Sequence, residues 1–222
     1  MFDSIPIQLI PVGYFNWWLV AFYIVLVGVF LYGVLQPRRK TEWKSAGMAQ
    51  AWVIALYAEM YGTPLTAYLM MHLVGRSTQD AETHFNGHLW PVVLGFEGQS
   101  LVFTQFATVV VGQCLIVAGA ILAIVGWRQL YQAVKNDQMA TAGVYRFIRH
   151  PQYTGFFLFL VGSVINWPTL ATILTLPILC FVYLRLANSE EQDSIKRFGE
   201  EYREYSNRTG KFIPQFRWAS AT

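Results

Sequence analysis

Four stretches of the chain are apolar for long enough to cross a bilayer. Residues 14–35 carry no charge and end at Pro37-Arg38-Arg39-Lys40. Residues 49–71 form a second run, broken by Glu59 and Pro64, and residues 100–126 a third. From Tyr153 to Ala187 the chain is again largely apolar, interrupted near its middle by Asn166-Trp167-Pro168. A helix needs about 20 apolar residues to span the hydrocarbon core. The last stretch therefore divides at the interruption into two helices, the first short unless it begins near Phe147. The pattern predicts an all-α, polytopic membrane helix bundle of about five spans. Beyond the last span, Ile195, Phe198, Tyr202 and Tyr205 recur at spacings of three and four, which places them on one helix face. Ser189 suits an N-cap and the acidic residues after it suit the helix dipole, so a C-terminal amphipathic cytoplasmic helix is expected.

Composition agrees. Of 222 residues 55% are hydrophobic and 13% charged, against about a quarter charged in a soluble domain. The net charge is +3, and the basic residues collect at the ends of apolar runs rather than on one solvated face, which argues against nucleic-acid binding. Segments 36–48, 127–152 and 185–222 hold 15 of the 16 Lys and Arg residues. Positive residues stay on the cytoplasmic side, so the N-terminus is expected outside and the C-terminus inside, as an odd number of spans requires. The membrane would be that of a bacterial or archaeal cell, or the endoplasmic reticulum of a eukaryote. The residues before the first run hold Asp3 but no Lys or Arg, and no small-residue cleavage site follows it, so a signal peptide is not expected. Cys114 and Cys180 lie within apolar stretches and read as buried thiols.

Candidate chemistry concentrates in Gly143-Val144-Tyr145-Arg146-Phe147-Ile148-Arg149-His150-Pro151-Gln152-Tyr153, where a basic segment meets the membrane. Its arginines offer donors for a carboxylate and its rings can stack on a base; an interfacial anchor is the plainer account of the arginines. His150-Pro151-Gln152-Tyr153 has a backbone restrained by proline, which suits a ligand site. Glu59 falls within the second span, where a carboxylate either lines a cavity or joins helices. His84 and His88, with Asp80 and Glu82, read as an exposed polar loop, and no metal site is expected.

Residues 141–214 resemble the C-terminal half of the isoprenylcysteine carboxyl methyltransferase family of membrane enzymes. The matching pieces are Gly143-Val144-Tyr145, Arg149-His150-Pro151 with Tyr153, the turn at Asn166 to Pro168, Glu190-Glu191, and Phe198-Gly199-Glu200-Glu201-Tyr202 with Tyr205, running on to Phe212-Ile213-Pro214. About a third of the chain is covered, and the first three spans resemble no family. The resemblance implies an S-adenosyl-L-methionine site formed by Asp137-Gln138-Met139-Ala140, Tyr145, His150, Pro151, Gln152, Tyr153 and the pair Glu190 and Glu191, with Glu190 the nearer ligand. It also implies a substrate-engaging arginine four residues before that glutamate. Arg185 lies five before it, about 100° further around a helix, and is either the catalytic arginine or an anchor snorkelling to the interface. Residues 1–126 would form the substrate side and 127–222 the cofactor-binding region.

The activity so implied is methyl transfer to a lipophilic or lipidated acceptor carrying a carboxylate or thiol, since no general base stands out among the motif residues. A phospholipid amine N-methyltransferase, an NADPH-dependent sterol-type reductase, and a non-catalytic transporter or scaffold are the competing readings. Gln152 stands where the reductases favour Asn, and the lack of an internal repeat fits a transporter poorly. No Gly-x-Gly occurs anywhere in the chain, which removes the soluble α/β methyltransferase architecture.

Overall fold

An apolar run without water to satisfy its backbone has to bond its own amides, and the helix does this within one segment. The computed structural model of the protein describes residues 16–35, 40–63, 65–66, 69 and 98–215. Its helices are α1 (Trp17–Leu35), α2 (Lys40–Tyr57), α3 (Gly98–Lys135), α4 (Pro151–Asn166), α5 (Leu170–Phe198) and α6 (Glu200–Arg208). A π turn, Ala58–Gly62, follows α2, and a 3-10 turn, Gly143–Arg146, precedes α4. Among the described residues there is no strand, only an isolated bridge between Ile148 and Gly210. The described residues are all-α.

Residues Val102–Lys135 of α3, and α5, are long and apolar enough to cross a membrane. Large apolar side chains stand outward: Trp18 is 88% exposed, Phe103 73% and Leu174 68%. Lipid, rather than water, covers a surface of that kind. The loop holding Asp80, Glu82, His84 and His88 lies outside the described residues.

Three elements differ from the pattern read in the sequence. α2 starts at Lys40 rather than near residue 49, because no proline stands between Lys40 and Gln50 and the one glycine there, Gly47, is tolerated inside a helix. α3 runs past residue 126 to Lys135, since Trp127 to Lys135 contains neither proline nor glycine. Ser189 is no N-cap: α5 is continuous through it to Phe198. The break comes at Gly199, whose φ of 59° is open to glycine at little cost. The spaced face of Ile195, Phe198, Tyr202 and Tyr205 is therefore split between two helices, with Tyr202 and Tyr205 buried.

The chain divides into two compact units. The first comprises Met1–Cys114 and Gly162–Ile178. Within it α5 begins at a reciprocal cap: the Thr169 N–H donates to Thr172 Oγ1 at 3.2 Å, and the Thr172 N–H donates to Thr169 Oγ1 at 3.1 Å. Glu59 accepts from the Thr66 amide at 2.9 Å and from its hydroxyl at 2.8 Å, and Thr66 Oγ1 accepts the Leu170 N–H at 3.0 Å. Here the carboxylate within the second run joins elements, the structural one of its two readings.

The second unit comprises Leu115–Val161 and Leu179–Thr222. Its helices α3 and α4 touch backbone to backbone at Gly119 and Gly155. A Cβ built on either glycine would fall 2.4 Å from the other's carbonyl oxygen. Small residues at such a contact let two helices approach closely where no hydrophobic force drives them together.

Candidate active site

Between α3 and α4 the chain makes the 3-10 turn and then enters α4 with Pro151 at its first position, where the missing N–H leaves no bond unmade. Gly143 opens that turn at φ 62°, and a Cβ there would lie 2.3 Å from the Gln129 amide nitrogen. The same Gln129 side chain accepts the Val144 N–H at 3.0 Å. These restraints seat Tyr145, which is 4% exposed. Its hydroxyl donates to Gln152, and its carbonyl accepts the Tyr205 hydroxyl at 2.7 Å.

A second segment, Thr209 to Phe212, lies beside residues 148–150. The Arg149 N–H donates to the Gly210 carbonyl at 2.8 Å and the His150 N–H to the Lys211 carbonyl at 3.1 Å. A Cβ on Gly210 would sit 1.8 Å from the Ile213 carbonyl oxygen, so the turn after it admits glycine alone. The Thr154 hydroxyl reaches the Phe212 carbonyl at 3.0 Å. This strap holds His150 from one side while α4 holds it from the other.

From α5 come the two carboxylates. Tyr153 donates its hydroxyl to Glu190 Oε1, and His150 Nδ1 lies 3.6 Å from Glu190 Oε2. His150 Nε2 is 3.3 Å from Glu191 Oε1, which also accepts from Arg149 Nε at 2.8 Å. Glu191 Oε2 accepts from Lys211 Nζ at 2.8 Å. Arg149 Nη1 donates to the carbonyls of Ser206, at 2.6 Å, and Thr209. Around the imidazole the Tyr153 ring stacks at 5.6 Å and the Phe212 ring tilts at 5.7 Å.

The charges in this cluster are not equivalent. The Glu191 side chain is 16% exposed and both its oxygens are occupied; Glu190 is 36% exposed. Burial would raise the Glu191 pKa, but the bonds from His150, Lys211 and Arg149 outweigh it and hold the carboxyl well below the usual range. Burial would lower the His150 pKa, and the bonds to Glu190 and Glu191 reverse that, leaving it raised. Burial pushes the Tyr145 hydroxyl up, with the Glu190 charge adding to it, and Tyr202 is pushed up to about 12 by burial and then by Glu191. Both phenols stay protonated. The arrangement thus presents one open carboxylate, Glu190, over an imidazole held between two carboxylates.

Of the residues singled out in the sequence, Tyr145, His150, Pro151, Gln152, Tyr153, Glu190 and Glu191 come together here. Gln138 is exposed and Met139 and Ala140 are half-buried in the link after α3. There the Gln138 N–H bonds the Ala133 carbonyl, and Asp137 pairs with Arg197. Arg185 stands on an exposed face of α5, its guanidinium 5.8 Å over the Phe181 ring. The donors of Arg149 that suggested a ligand's carboxylate meet the protein's own Glu191 instead. Lys211 escaped the sequence reading altogether. It lies 20 residues from Glu191, and no spacing rule links them.

Comparison with known proteins covers this region. The family model described as phospholipid methyltransferase matches residues 102–201. The chain is 32% identical over 115 residues to the mouse (Mus musculus) protein-S-isoprenylcysteine O-methyltransferase, covering 50% of this chain and 40% of that one. With the human (Homo sapiens) protein of the same name it shares 32% over 117 residues, 51% of this chain and 41% of the other. To methanethiol S-methyltransferase 1 of Bradyrhizobium diazoefficiens it is 39% identical over 72 residues, 32% of this chain and 24% of that one. The chain spans about two fifths of the length of the first two relatives. The motif resemblance is matched by these similarities.

Proposed function

We propose, from the premise that about half of this chain is similar to the isoprenylcysteine carboxyl methyltransferase family, that it is an integral membrane S-adenosyl-L-methionine-dependent methyltransferase with a lipophilic acceptor. The observation that carries the reading is the convergence of His150, Tyr153 and Glu190 from two helices onto one another. The donor set suits the cofactor. An open carboxylate beside stacked rings favours a cation attached to a flat base, and Glu190, Tyr153, His150, Pro151, Gln152 and Tyr145 are the residues that would hold it, with Glu191 behind them. Gln138, Met139 and Ala140 would close the site from the link after α3. When bound, S-adenosyl-L-methionine supplies an electrophilic methyl group.

The chain's own contribution is placement. Glu190 and Tyr153 orient the ligand, and the buried rings exclude water from it. Both ring nitrogens of His150 face carboxylates, Nδ1 toward Glu190 and Nε2 toward Glu191, which leaves neither turned to an acceptor as a base. That favours an acceptor that arrives already anionic, a carboxylate as the resemblance to the carboxyl methyltransferase family implies, or a thiolate, methanethiol being the thiol named for one relative. The description of the matching family favours a second reading, phospholipid amine methylation; a protonated amine, however, must lose a proton before it can attack. Arg185, on α5, is the residue that would meet an acidic acceptor. The apolar runs support about five spans, the distribution of Lys and Arg supports an N-terminus outside and a C-terminus in the cytoplasm, and residues 1–126 would face the acceptor.

Calorimetric titration of S-adenosylhomocysteine into the purified chain should give micromolar binding that His150→Ala or Glu190→Gln abolishes. A radiolabelled methyl-transfer screen over prenylcysteines, thiols and phosphatidylethanolamine identifies the acceptor, and Arg185→Ala should raise KM for it while leaving cofactor binding unchanged. Preferential binding of NADPH would overturn the assignment.

A further inference from the structure

Glu190 and Glu191 are neighbours on α5, about 100° apart around its axis, and one imidazole lies between them. Nothing in a helix prevents the second carboxylate from taking that imidazole for itself. His150 is in fact nearer to Glu191, at 3.3 Å, than to Glu190, at 3.6 Å. What opposes a full transfer is the occupation of Glu191 by other cations. Arg149 contributes one bond through Nε, while its Nη1 is spent on the Ser206 carbonyl of α6 and the Thr209 carbonyl of the strap. Lys211 takes the opposite oxygen at 2.8 Å and is also held by Asn188.

We infer that Lys211 is a positioning residue of this site: by neutralising Glu191 from the strap, it leaves His150 shared with Glu190, the carboxylate open to a ligand. The inference rests on the cofactor reading above only in its binding consequence. One residue grips both halves of the pair, since the Lys211 carbonyl accepts the His150 amide while its ammonium meets Glu191. Its neighbour Phe212 lies against the imidazole ring. The charged and titratable groups around His150 are Arg149 and Tyr153 from its own segment, Glu190 and Glu191 from α5, Lys211 from the strap and Tyr202 from α6, which feels the charge of both glutamates. Removing the ammonium leaves Glu191 under-compensated. Its field then binds the His150 proton more tightly and draws the ring away from Glu190.

Lys211→Met keeps the backbone bond and most of the stem, while Lys211→Arg keeps the charge. In the full chain in detergent, histidine Cε1 resonances are titrated by NMR, with His150 assigned among the four histidines by its loss in His150→Gln. Lys211→Met should raise the His150 midpoint by about one pH unit, the size expected for losing a charge a few ångströms away. It should also weaken S-adenosylhomocysteine binding about tenfold at neutral pH. Lys211→Arg should restore both. If Lys211→Met does not fold, the neutral Lys211→Gln carries the same expectation. A His150 midpoint unchanged or lowered in the neutral variants overturns the inference, even where wild-type binding upholds the methyltransferase reading. A raised midpoint in a chain whose wild type binds no S-adenosylhomocysteine leaves the positioning role standing and removes the cofactor reading instead.

Discussion

Adding a single methyl group at Gly155 should loosen the candidate site without touching any of its residues. A Cβ at that position would lie 2.4 Å from the Gly119 carbonyl oxygen and 2.7 Å from the Ala123 amide nitrogen. Ordinary van der Waals contact begins at 3.4 Å, so the methyl group sits a full ångström too close to backbone that has no rotamer to change. α3 and α4 must separate, and Pro151, at the start of α4 one turn away, moves with His150 and Tyr153. Overpacking of this kind costs about 1–3 kcal/mol, which for a chain of this size lowers Tm by about 2–12 °C. Gly155→Ala should show that fall in a thermal melt in detergent, together with weakened S-adenosylhomocysteine binding. Gly47→Ala is the control: a Cβ there meets nothing within 4 Å, and alanine inside a helix should add about 0.5–1 kcal/mol. A Gly155→Ala protein that melts with the wild type would refute the close approach. An equal fall in Gly47→Ala would show that the loss came from elsewhere.

Two further outcomes follow from the same contacts. The His150 pKa is raised by folding, so its contribution is complete below the ordinary value of 6.5 and fades as pH rises through the folded value. The Glu191 pKa is lowered, so its contribution is present above 4.5 and is lost only as pH falls well below it. Tm should therefore be highest between those two values and fall on the alkaline side, and His150→Gln should flatten the alkaline limb; a wild-type Tm that climbs from neutral to alkaline pH would contradict this. Thr66→Val removes the hydroxyl that donates to Glu59 at 2.8 Å and accepts from Leu170 at 3.0 Å. Leaving the Leu170 amide and Glu59 Oε1 without that hydroxyl should cost about 1–3 kcal/mol, with Thr66→Ser recovering most of it, and a valine variant as stable as the wild type would show that the bridge carries no load.

The sequence by itself determined the helical class, the break at Asn166 to Pro168, and the motif in which chemistry gathers. Those features are local: apolar runs, a proline and a glycine act on their own neighbours. It also brought His150, Tyr153 and Glu190 onto one list, through resemblance rather than spacing. The tertiary structure decided how charge is divided within that list. Arg149 looked like a donor for a ligand and meets Glu191; Ser189 looked like the start of a helix and lies inside one; Lys211 looked like nothing and closes the cluster. The Arg149 and Lys211 contacts depend on segments 20 to 60 residues apart that meet because α4, α5 and the strap pack together. An ion pair depends on distance in space, and sequence spacing carries that distance only within a single helix or turn.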